Sequence, residues 1–199
     1  LQVKIANDDN SSIVSKQIAL QLVNDRHILA VVGHNSSEAT IAAAPIYQSG
    51  GLVMISPTSY AKKITELGDY IFRTVPSIRF QADTLSRYGI RKAKIQNFAV
   101  CFDSTSEYSK SLKEDFTSAV LGDGGNIVQA DCDFSASDFD ASIIVSRAIN
   151  KGVKGLLLAP AVDNIDPAIK VAKVDRHFLA LMGSQTLYHN RTLKEGQAA

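Results

Sequence analysis

The chain has 199 residues, of which 45% are hydrophobic and 21% charged, a composition typical of folded globular proteins and not of disordered ones. Its 21 lysine and arginine residues against 20 aspartate and glutamate residues give a net charge of +1, which excludes the strongly basic surface expected for binding nucleic acid or an anionic membrane. No apolar run reaches the roughly 18 residues that span a bilayer, and the first residues lack a signal-peptide pattern. We therefore expect partners that are small molecules or proteins.

Short apolar runs alternate with segments of helical spacing along the whole chain. Runs with the composition of strands occupy residues 3–6, 29–32, 52–55, 69–73, 98–102, 126–128, 155–158 and 178–182. The segments between them carry apolar residues three or four positions apart, as in Val14, Ile18 and Leu22. Continuous apolar strands that alternate with helices predict an α/β fold with doubly wound parallel sheets.

The alternation is interrupted once, in the first half of the chain. A strand at 69–73 is followed at once by Pro76 and then by a long helical segment that starts near Arg79. A proline directly after a strand is typical of a crossover from one set of layers to another. We therefore predict two lobes, at residues 1–75 and 76–199.

The two cysteines, Cys101 and Cys132, each lie in a segment with the composition of a strand. Two cysteines are too few for the disulfide framework of a small secreted domain. The sequence therefore favours two buried thiols. A bridge stays open as the alternative, because the two strands could be neighbours in one sheet, and it would indicate an oxidising compartment.

Two successive predicted strands end in polar residues. The first continues as GHNSSEAT, where Ser36 and Ser37 lie at the start of a helix, and the second continues as SPTS around Thr58. A helix amino terminus has unpaired N–H groups and a positive dipole end, so it suits a carboxylate or a phosphate. Asn35 or Ser36 could equally serve only as the helix cap. Because ligands in open α/β sheets bind at the carboxyl ends of the strands, the two polar ends together favour a shared anion-accepting crevice.

The second half of the chain repeats this design. Tyr108 opens the helix that follows the strand at 98–102, where it is either a binding aromatic or the first core residue of the helix. The strand at 178–182 is followed by glycine, serine and Gln185. Polar residues at strand ends are therefore expected on both lobes.

The sequence carries no signature of a cofactor, a metal or a catalytic centre. It has no G-x-G-x-x-G or Walker loop, no G-x-S-x-G elbow, and no metal-ligand spacing among its histidines and cysteines. A serine enzyme in which His34 activates Ser36 or Ser37 would need a third, orienting residue, and none is indicated. We therefore predict a protein that is not an enzyme and binds no cofactor and no metal.

Five stretches resemble, in their order and spacing, the substrate-binding proteins of branched-chain amino acid ABC transporters and the related receptor ligand-binding regions. They are VKIANDDNSS, LAVVGHNSSEAT, GLVMISPTS, YIFRTVPS and FLALMGSQ. The resemblance covers essentially the whole chain and implies the type I periplasmic-binding fold, in which two α/β lobes close on an amino acid. It also implies a membrane permease or a receptor as partner, and a periplasmic or extracellular location.

The resemblance implies a role for individual residues of the pocket. It places the α-carboxylate of the ligand at Ser37 and Thr58, with donors from the neighbouring backbone. Tyr108 matches a tyrosine at the second lobe. Gln185 stands where many members have a glutamate that pairs with the α-ammonium group, and a neutral amide lacks the charge-assisted part of that hydrogen bond.

The pocket also differs from the family pattern on the side of the first lobe. Tyr60 stands where a smaller hydroxyl residue is usual, so we expect a reshaped pocket. Three functions stay open: a solute-binding protein for uptake, the ligand-sensing domain of a signalling receptor, and a truncated domain without a competent site.

Family domains begin with a strand and a helix that would precede Leu1, and they continue past Ala199, so the resemblance implies an internal fragment. In the usual strand order, 2-1-3-4-5, the first strand would lie between residues 3–6 and 29–32. Its absence would leave two unpaired strand edges, which are costly because buried backbone groups need partners. We therefore expect a rearranged sheet, or self-association with a second chain, to cover the gap.

Overall fold

The structure, a computed structural model, describes residues 2–176, 178–188 and 190–196. The chain divides into two compact units, of which the first ends at Ile78 and the second begins at Arg79. Each unit contains a parallel sheet packed against helices, so the predicted α/β class with parallel sheets is confirmed.

The first unit has a three-stranded parallel sheet in the order β1, β2, β3. Its elements are β1 (Ala30–Val32), β2 (Val53–Ser56), β3 (Ile71–Arg73), α1 (Ser12–Val23), α2 (Ser37–Gly50) and a 3-10 turn (Lys62–Glu66). Helix α2 is capped at its carboxyl end by Gly51, which has the left-handed φ of 64° that favours glycine at this position. The core of the unit joins α2 to β2 through the fully buried Tyr47, Met54 and Ile64.

Residues 2–7 do not form the strand predicted at 3–6. Val3 and Ile5 are 84% and 91% exposed, and β1 pairs only with β2 among the described residues. Segment 2–8 and β1 both line a cavity of about 870 Å³. A segment without a neighbouring strand cannot form the hydrogen bonds of a sheet. The apolar composition of residues 3–6 is therefore not enough to make them a strand. The predicted rearrangement of the sheet is therefore wrong, and cover by a second chain stays a prediction.

The second unit has a five-stranded parallel sheet in the order β5, β4, β7, β8, with β6 also paired to β4. Its strands are β4 (Asn97–Phe102), β5 (Asn126–Ile127), β6 (Cys132–Asp133), β7 (Gly155–Ala159) and β8 (Ala180–Gly183). Its helices are α4 (Glu107–Gly122), α5 (Ala141–Asn150), α6 (Asp166–Asp175) and α7 (Asn190–Gly196), and α3 (Ile78–Arg87) crosses from the first unit and continues as a π-helical turn (Tyr88–Lys92). All five residues of β7 are buried, as expected for the central strand of a covered parallel sheet.

Tight packing fixes the central pair of strands in this sheet. Phe98 on β4 lies against Gly155 on β7, and a Cβ atom at residue 155 would come within 2.7 Å of the Phe98 ring. A glycine is needed there because the ring occupies the space of its side chain. The predicted lobe boundary after residue 75 lies in the loop between β3 and α3.

Cys101 and Cys132 form a disulfide, so the prediction of two buried thiols is wrong and the alternative of a bridge holds. The two residues face each other in the register of β4 and β6, with their Cα atoms 4.6 Å apart. That separation lies within the range that a disulfide bridges. Because β6 is only two residues long, the bridge ties a segment that the sheet alone holds by few hydrogen bonds.

We expect removal of this disulfide to lower the free energy of unfolding by about 3 to 4 kcal/mol, because the bridge closes a long loop in the unfolded chain. Its two cysteines are separated by 31 residues. The measurement is urea unfolding of the wild type and of the double variant Cys101→Ala, Cys132→Ala, each with and without reductant. Reductant should lower the midpoint of the wild type and leave that of the variant unchanged. A wild-type midpoint that does not respond to reductant would contradict this account.

Candidate functional site

The polar edge of the first unit lies where β1 and β2 end and α2 begins. The two strands are parallel, so their carboxyl ends meet at the same edge of the sheet. The ladder extends one step beyond β1, where the N–H of Gly33 donates to the carbonyl of Ile55 at 3.0 Å. We call the residues of this edge, 33–37 and 56–61, the hydroxyl rim. Four of the six predicted site residues belong to it.

Ser36 and Ser37 lie at the start of α2, as predicted, and both are buried. Ser36 is the helix cap, since its Oγ accepts the N–H of Ala39 at 3.1 Å. The Oγ of Ser37 accepts the N–H of Ala61 at 3.1 Å. A serine hydroxyl has one proton and two lone pairs, so this bond leaves the Ser37 proton for another acceptor.

Thr58 and Tyr60 lie on the loop after β2 and are more exposed than the two serines. The Oγ1 of Thr58 donates to the carbonyl of Asn35 at 2.8 Å, which joins the two halves of the rim. Because a threonine hydroxyl has one proton, it can donate to a ligand only by releasing Asn35. The carbonyl of Tyr60 accepts the N–H of Ile78 at 3.2 Å.

Arg73, at the end of β3, adds a positive charge beside the hydroxyl rim. Its Nη1 donates to the carbonyls of Tyr60 and Ala61 at 3.1 and 3.0 Å. Partial burial lowers the pKa of its guanidinium from the ordinary value, since the charged form loses solvation there. Sequence reasoning did not single out Arg73, although a charged residue that ends an apolar strand was a usable signal.

His34, which the sequence suggests only as a catalytic base, belongs to the rim. Its ring contacts Asp8 through Nδ1 and the hydroxyl of Tyr47 through Nε2, the latter at 3.1 Å. Both ring nitrogens therefore have partners other than Ser36 and Ser37. This arrangement does not support the alternative in which His34 activates one of these serines.

The two predicted residues of the second unit lie on different elements. Tyr108, in the first turn of α4, is 1% exposed, and its hydroxyl donates to the Gln81 Oε1 at 3.4 Å. It therefore has the core role that the sequence left open, and contact with a ligand stays a prediction. Gln185 follows β8 at the start of a 3-10 turn and is partly exposed, with its carbonyl accepting the N–H of Tyr188 at 2.9 Å.

Polar residues also follow β4 and β6, close in sequence to the disulfide. One carboxylate oxygen of Asp133 accepts the N–H of Ser104 at 3.1 Å, the N–H of Ser135 at 3.0 Å and the Oγ of Ser135 at 2.7 Å. Burial by itself raises the pKa of Asp133, but these hydrogen bonds outweigh it and hold the pKa below its usual value. Asp133 is therefore an ionised anchor for the loop that leads into α4.

Two negative findings concern the described residues alone. Over residues 2–176, 178–188 and 190–196, no three histidine, cysteine, aspartate or glutamate side chains come together in a group that could hold a metal ion. Within those same ranges, none of the helices combines the length and the apolar composition needed to cross a membrane.

The sequence of the chain is similar to those of known proteins. A family model described as periplasmic binding protein matches residues 1–194. The leucine-specific-binding protein of Salmonella typhimurium and the Leu/Ile/Val-binding protein of Escherichia coli K12 are each 31% identical to it over 131 residues, which is 65% of this chain and 35% of theirs. A leucine-, isoleucine-, valine-, threonine- and alanine-binding protein of Pseudomonas aeruginosa is 30% identical over 138 residues, or 69% of this chain and 36% of its own length. The chain thus spans about a third of the length of these curated relatives.

Solved structures share the fold over nearly the whole chain. A leucine binding protein from Thermotoga maritima matches with a TM-score of 0.82 at 16% identity, covering 96% of this chain and 54% of its own. A branched-chain amino acid transporter substrate-binding protein from Streptococcus pneumoniae matches with a TM-score of 0.81 at 21% identity, and the match covers 98% of this chain and 55% of that protein. The match to the family model and the shared fold lead to one conclusion: the chain belongs to the periplasmic binding protein family and has the type I fold of branched-chain amino acid substrate-binding proteins.

Proposed function

We propose that this chain is part of a non-enzymatic solute-binding protein that recognises a small solute by its carboxylate, and that the solute is an amino acid taken up by an ABC transporter. The observation that carries the proposal is the hydroxyl rim of the first unit. It combines the amino terminus of α2, the hydroxyl of Ser37 and the neighbouring Thr58 at the end of two parallel strands.

The chemistry of the rim suits a carboxylate better than a neutral group. The first turn of α2 has N–H groups without intrahelical partners and the positive end of the helix dipole. Ser37 has a proton to donate, and Arg73 supplies a positive charge at the last residue of β3. Hydrogen bonds from such donors to an ionised carboxylate are shorter and roughly twice as strong as those between neutral groups.

The ligands bound by proteins of the same fold support the choice of a carboxylate. The Streptococcus pneumoniae protein was solved with isoleucine and a Desulfitobacterium hafniense protein with leucine. Solute-binding proteins from Rhodopseudomonas palustris were solved with 3,4-dihydroxybenzoic acid and with 4-hydroxybenzoate. These four molecules share a carboxylate and differ in whether they carry an ammonium group.

A second candidate ligand is therefore a carboxylic acid without an ammonium group, such as a hydroxybenzoate. The observation that favours it is Gln185, which is neutral at the position where the resemblance leads us to expect a glutamate. An amide hydrogen-bonds an ammonium group without the charge-assisted contribution, so it discriminates less between the two classes of ligand. Tyr108 and Tyr60 are the aromatic residues expected to contact either class.

The proposed location is the periplasm or the extracellular space, with a membrane permease as partner. The disulfide between Cys101 and Cys132 supports this location, because such bridges form and persist in oxidising compartments. A receptor in which ligand binding shifts a conformational equilibrium would use the same site and the same compartment.

Binding of a carboxylate at the hydroxyl rim is expected to raise the thermal stability of the protein. A solute at 100 times its dissociation constant adds about 2.7 kcal/mol to the free energy of unfolding. The measurement is a thermal-shift screen with the amino acids and the hydroxybenzoates, followed by calorimetry of each hit. Ser37→Ala should weaken binding about tenfold or more, because it removes a hydrogen bond to a charged group. Thr58→Ala should weaken binding by less, because Thr58 gives up its hydrogen bond to Asn35 when it donates to the ligand.

The matched control is Ser49→Ala, which removes an exposed hydroxyl from the last turn of the same helix. It should leave the affinity unchanged. Equal affinities in the wild type, Ser37→Ala and Thr58→Ala would show that the solute binds elsewhere.

The charge at residue 185 is expected to decide between the two classes of ligand. Gln185→Glu should tighten binding of amino acids about five- to tenfold, because it adds a charge-assisted hydrogen bond to the ammonium group, and should weaken binding of hydroxybenzoates. Calorimetry with leucine and 4-hydroxybenzoate measures both effects. Gln129→Glu, which adds the same charge at an exposed position of the same unit, is the control. If both ligands respond alike to Gln185→Glu, residue 185 does not contact the ammonium group.

A further inference from the structure

Three titratable side chains form a continuous buried chain beneath the hydroxyl rim. Asp8 comes from the loop before α1, His34 from the rim and Tyr47 from the last turn of α2. The side chains of His34 and Asp8 are 6% and 14% exposed, and Tyr47 is fully buried. None of the three has a role in the proposed contact with the carboxylate.

The partners of the His34 ring determine where its proton lies. Burial, and then the negative charge of Asp8, raise the pKa of Tyr47 to about 12, so Tyr47 keeps its proton at neutral pH. The Tyr47 hydroxyl can then donate to Nε2, while Nδ1–H donates to the carboxylate of Asp8. For a ring that carries one proton, these two partners favour the Nδ1–H tautomer.

The main chain of His34 connects this buried chain to the rim. Three hydroxyls lie within hydrogen-bonding distance of the carbonyl oxygen of His34: those of Thr40 at 3.3 Å, Ser56 at 2.9 Å and Ser59 at 3.2 Å. The Oγ1 of Thr40 and the Oγ of Ser59 are also 2.7 Å apart, so one of them donates to the other and two protons remain for the carbonyl. They come from α2, from β2 and from the loop that carries Thr58. The orientation of this one peptide therefore sets the positions of three elements that meet at the rim.

We propose that Asp8 and Tyr47 are positioning residues which, through the ring of His34, fix the peptide on which the hydroxyl rim is assembled. When one partner is lost, the ring has an unsatisfied buried nitrogen and can rotate, and the His34 carbonyl no longer holds the three hydroxyls in one geometry. The part of this inference that concerns solute affinity rests on the proposed function, whereas the part that concerns the order of the rim does not.

A second histidine and aspartate pair in the same unit provides the matched control. His27 Nδ1 lies 3.2 Å from the carboxylate of Asp25, but the His27 side chain is 98% exposed. Water can replace either partner there, so loss of the pair should have little effect. The two pairs have the same chemistry and differ in burial.

The test uses the whole chain and has two readouts that need no ligand. The first is the nitrogen NMR spectrum of the imidazole rings, in which His34 should appear as a single Nδ1–H tautomer. The second is hydrogen exchange at the N–H groups of Ala39 and Ala61, which donate to Ser36 and Ser37 in the rim. Tyr47→Phe removes one oxygen and keeps the ring, so it tests the hydrogen bond without removing the core side chain.

In Tyr47→Phe we expect exchange at Ala39 and Ala61 to become about tenfold faster or more, as follows from leaving Nε2 of the buried ring without its partner. Asp8→Asn keeps an acceptor for Nδ1–H and removes the charge, so it should change these rates in the same direction but by less. Exchange in β7 of the second unit should not change. Asp25→Asn should leave all of these rates as in the wild type. Where the wild type binds leucine or 4-hydroxybenzoate, the affinity should fall about tenfold in Tyr47→Phe and stay unchanged in Asp25→Asn.

Two results would overturn the inference. One is a wild-type His34 ring that is the Nε2–H tautomer or that averages between tautomers. The other is rim exchange in Tyr47→Phe as slow as in the wild type. If no solute of the panel binds the wild type, the proposed function fails, and the NMR and exchange results still decide the positioning role. Loss of affinity with unchanged exchange at the rim would also count against positioning, since it would indicate direct contact with the solute.

Discussion

Parallel strand pairing is the constraint on which the organisation of this chain depends. A parallel pair cannot be closed by a tight turn, so each strand is followed by a crossover, and all carboxyl ends meet at one edge of the sheet. In the first unit this brings the loops after β1 and β2 together, although they are more than twenty residues apart in the chain. The polar residues of both loops then have to satisfy one another's hydrogen-bonding groups.

The hydroxyl rim meets that requirement and still has capacity for a ligand. Three hydroxyls surround the carbonyl oxygen of His34, and Asn35 takes the proton of Thr58. Ser37 accepts a backbone N–H and has a proton left to donate. A site in which most groups are already paired loses little conformational freedom when a ligand arrives, because its side chains are held before binding. The rigidity of the rim and its capacity to bind thus have the same physical origin.

Much of the fold could be predicted from the sequence, because it depends on local pattern. Apolar runs, helical spacing and the polar ends of the strands can all be read from the sequence. They predict the α/β class and the position of Ser36, Ser37 and Thr58 at the ends of two strands. The prediction of a strand at 3–6 is wrong because a strand forms only beside a neighbouring strand, and composition does not reveal whether one is present. The bridge between Cys101 and Cys132 depends on the register of β4 against β6, and register is a tertiary property.

The buried chain at His34 shows the same limit at the site. Asp8 lies 26 residues before His34 and Tyr47 lies 13 residues after it, and neither spacing corresponds to a motif. These three side chains need one another as partners because they are withdrawn from water, and that burial depends on tertiary packing such as that of α1 against α2 and of α2 against β2. The charge of Arg73 was visible in the sequence, but its two carbonyl partners depend on how the loop after β2 folds back.

Burial of the disulfide limits its reaction with thiols in solution. Cys101 is fully buried and Cys132 is 3% exposed, so a thiolate in solution cannot reach either sulfur in the folded protein. Thiol–disulfide exchange requires access to a sulfur atom, and here access has to wait for local opening of the sheet around β6. The rate at which a reductant cleaves the bridge therefore reports how often the second unit opens locally around β6.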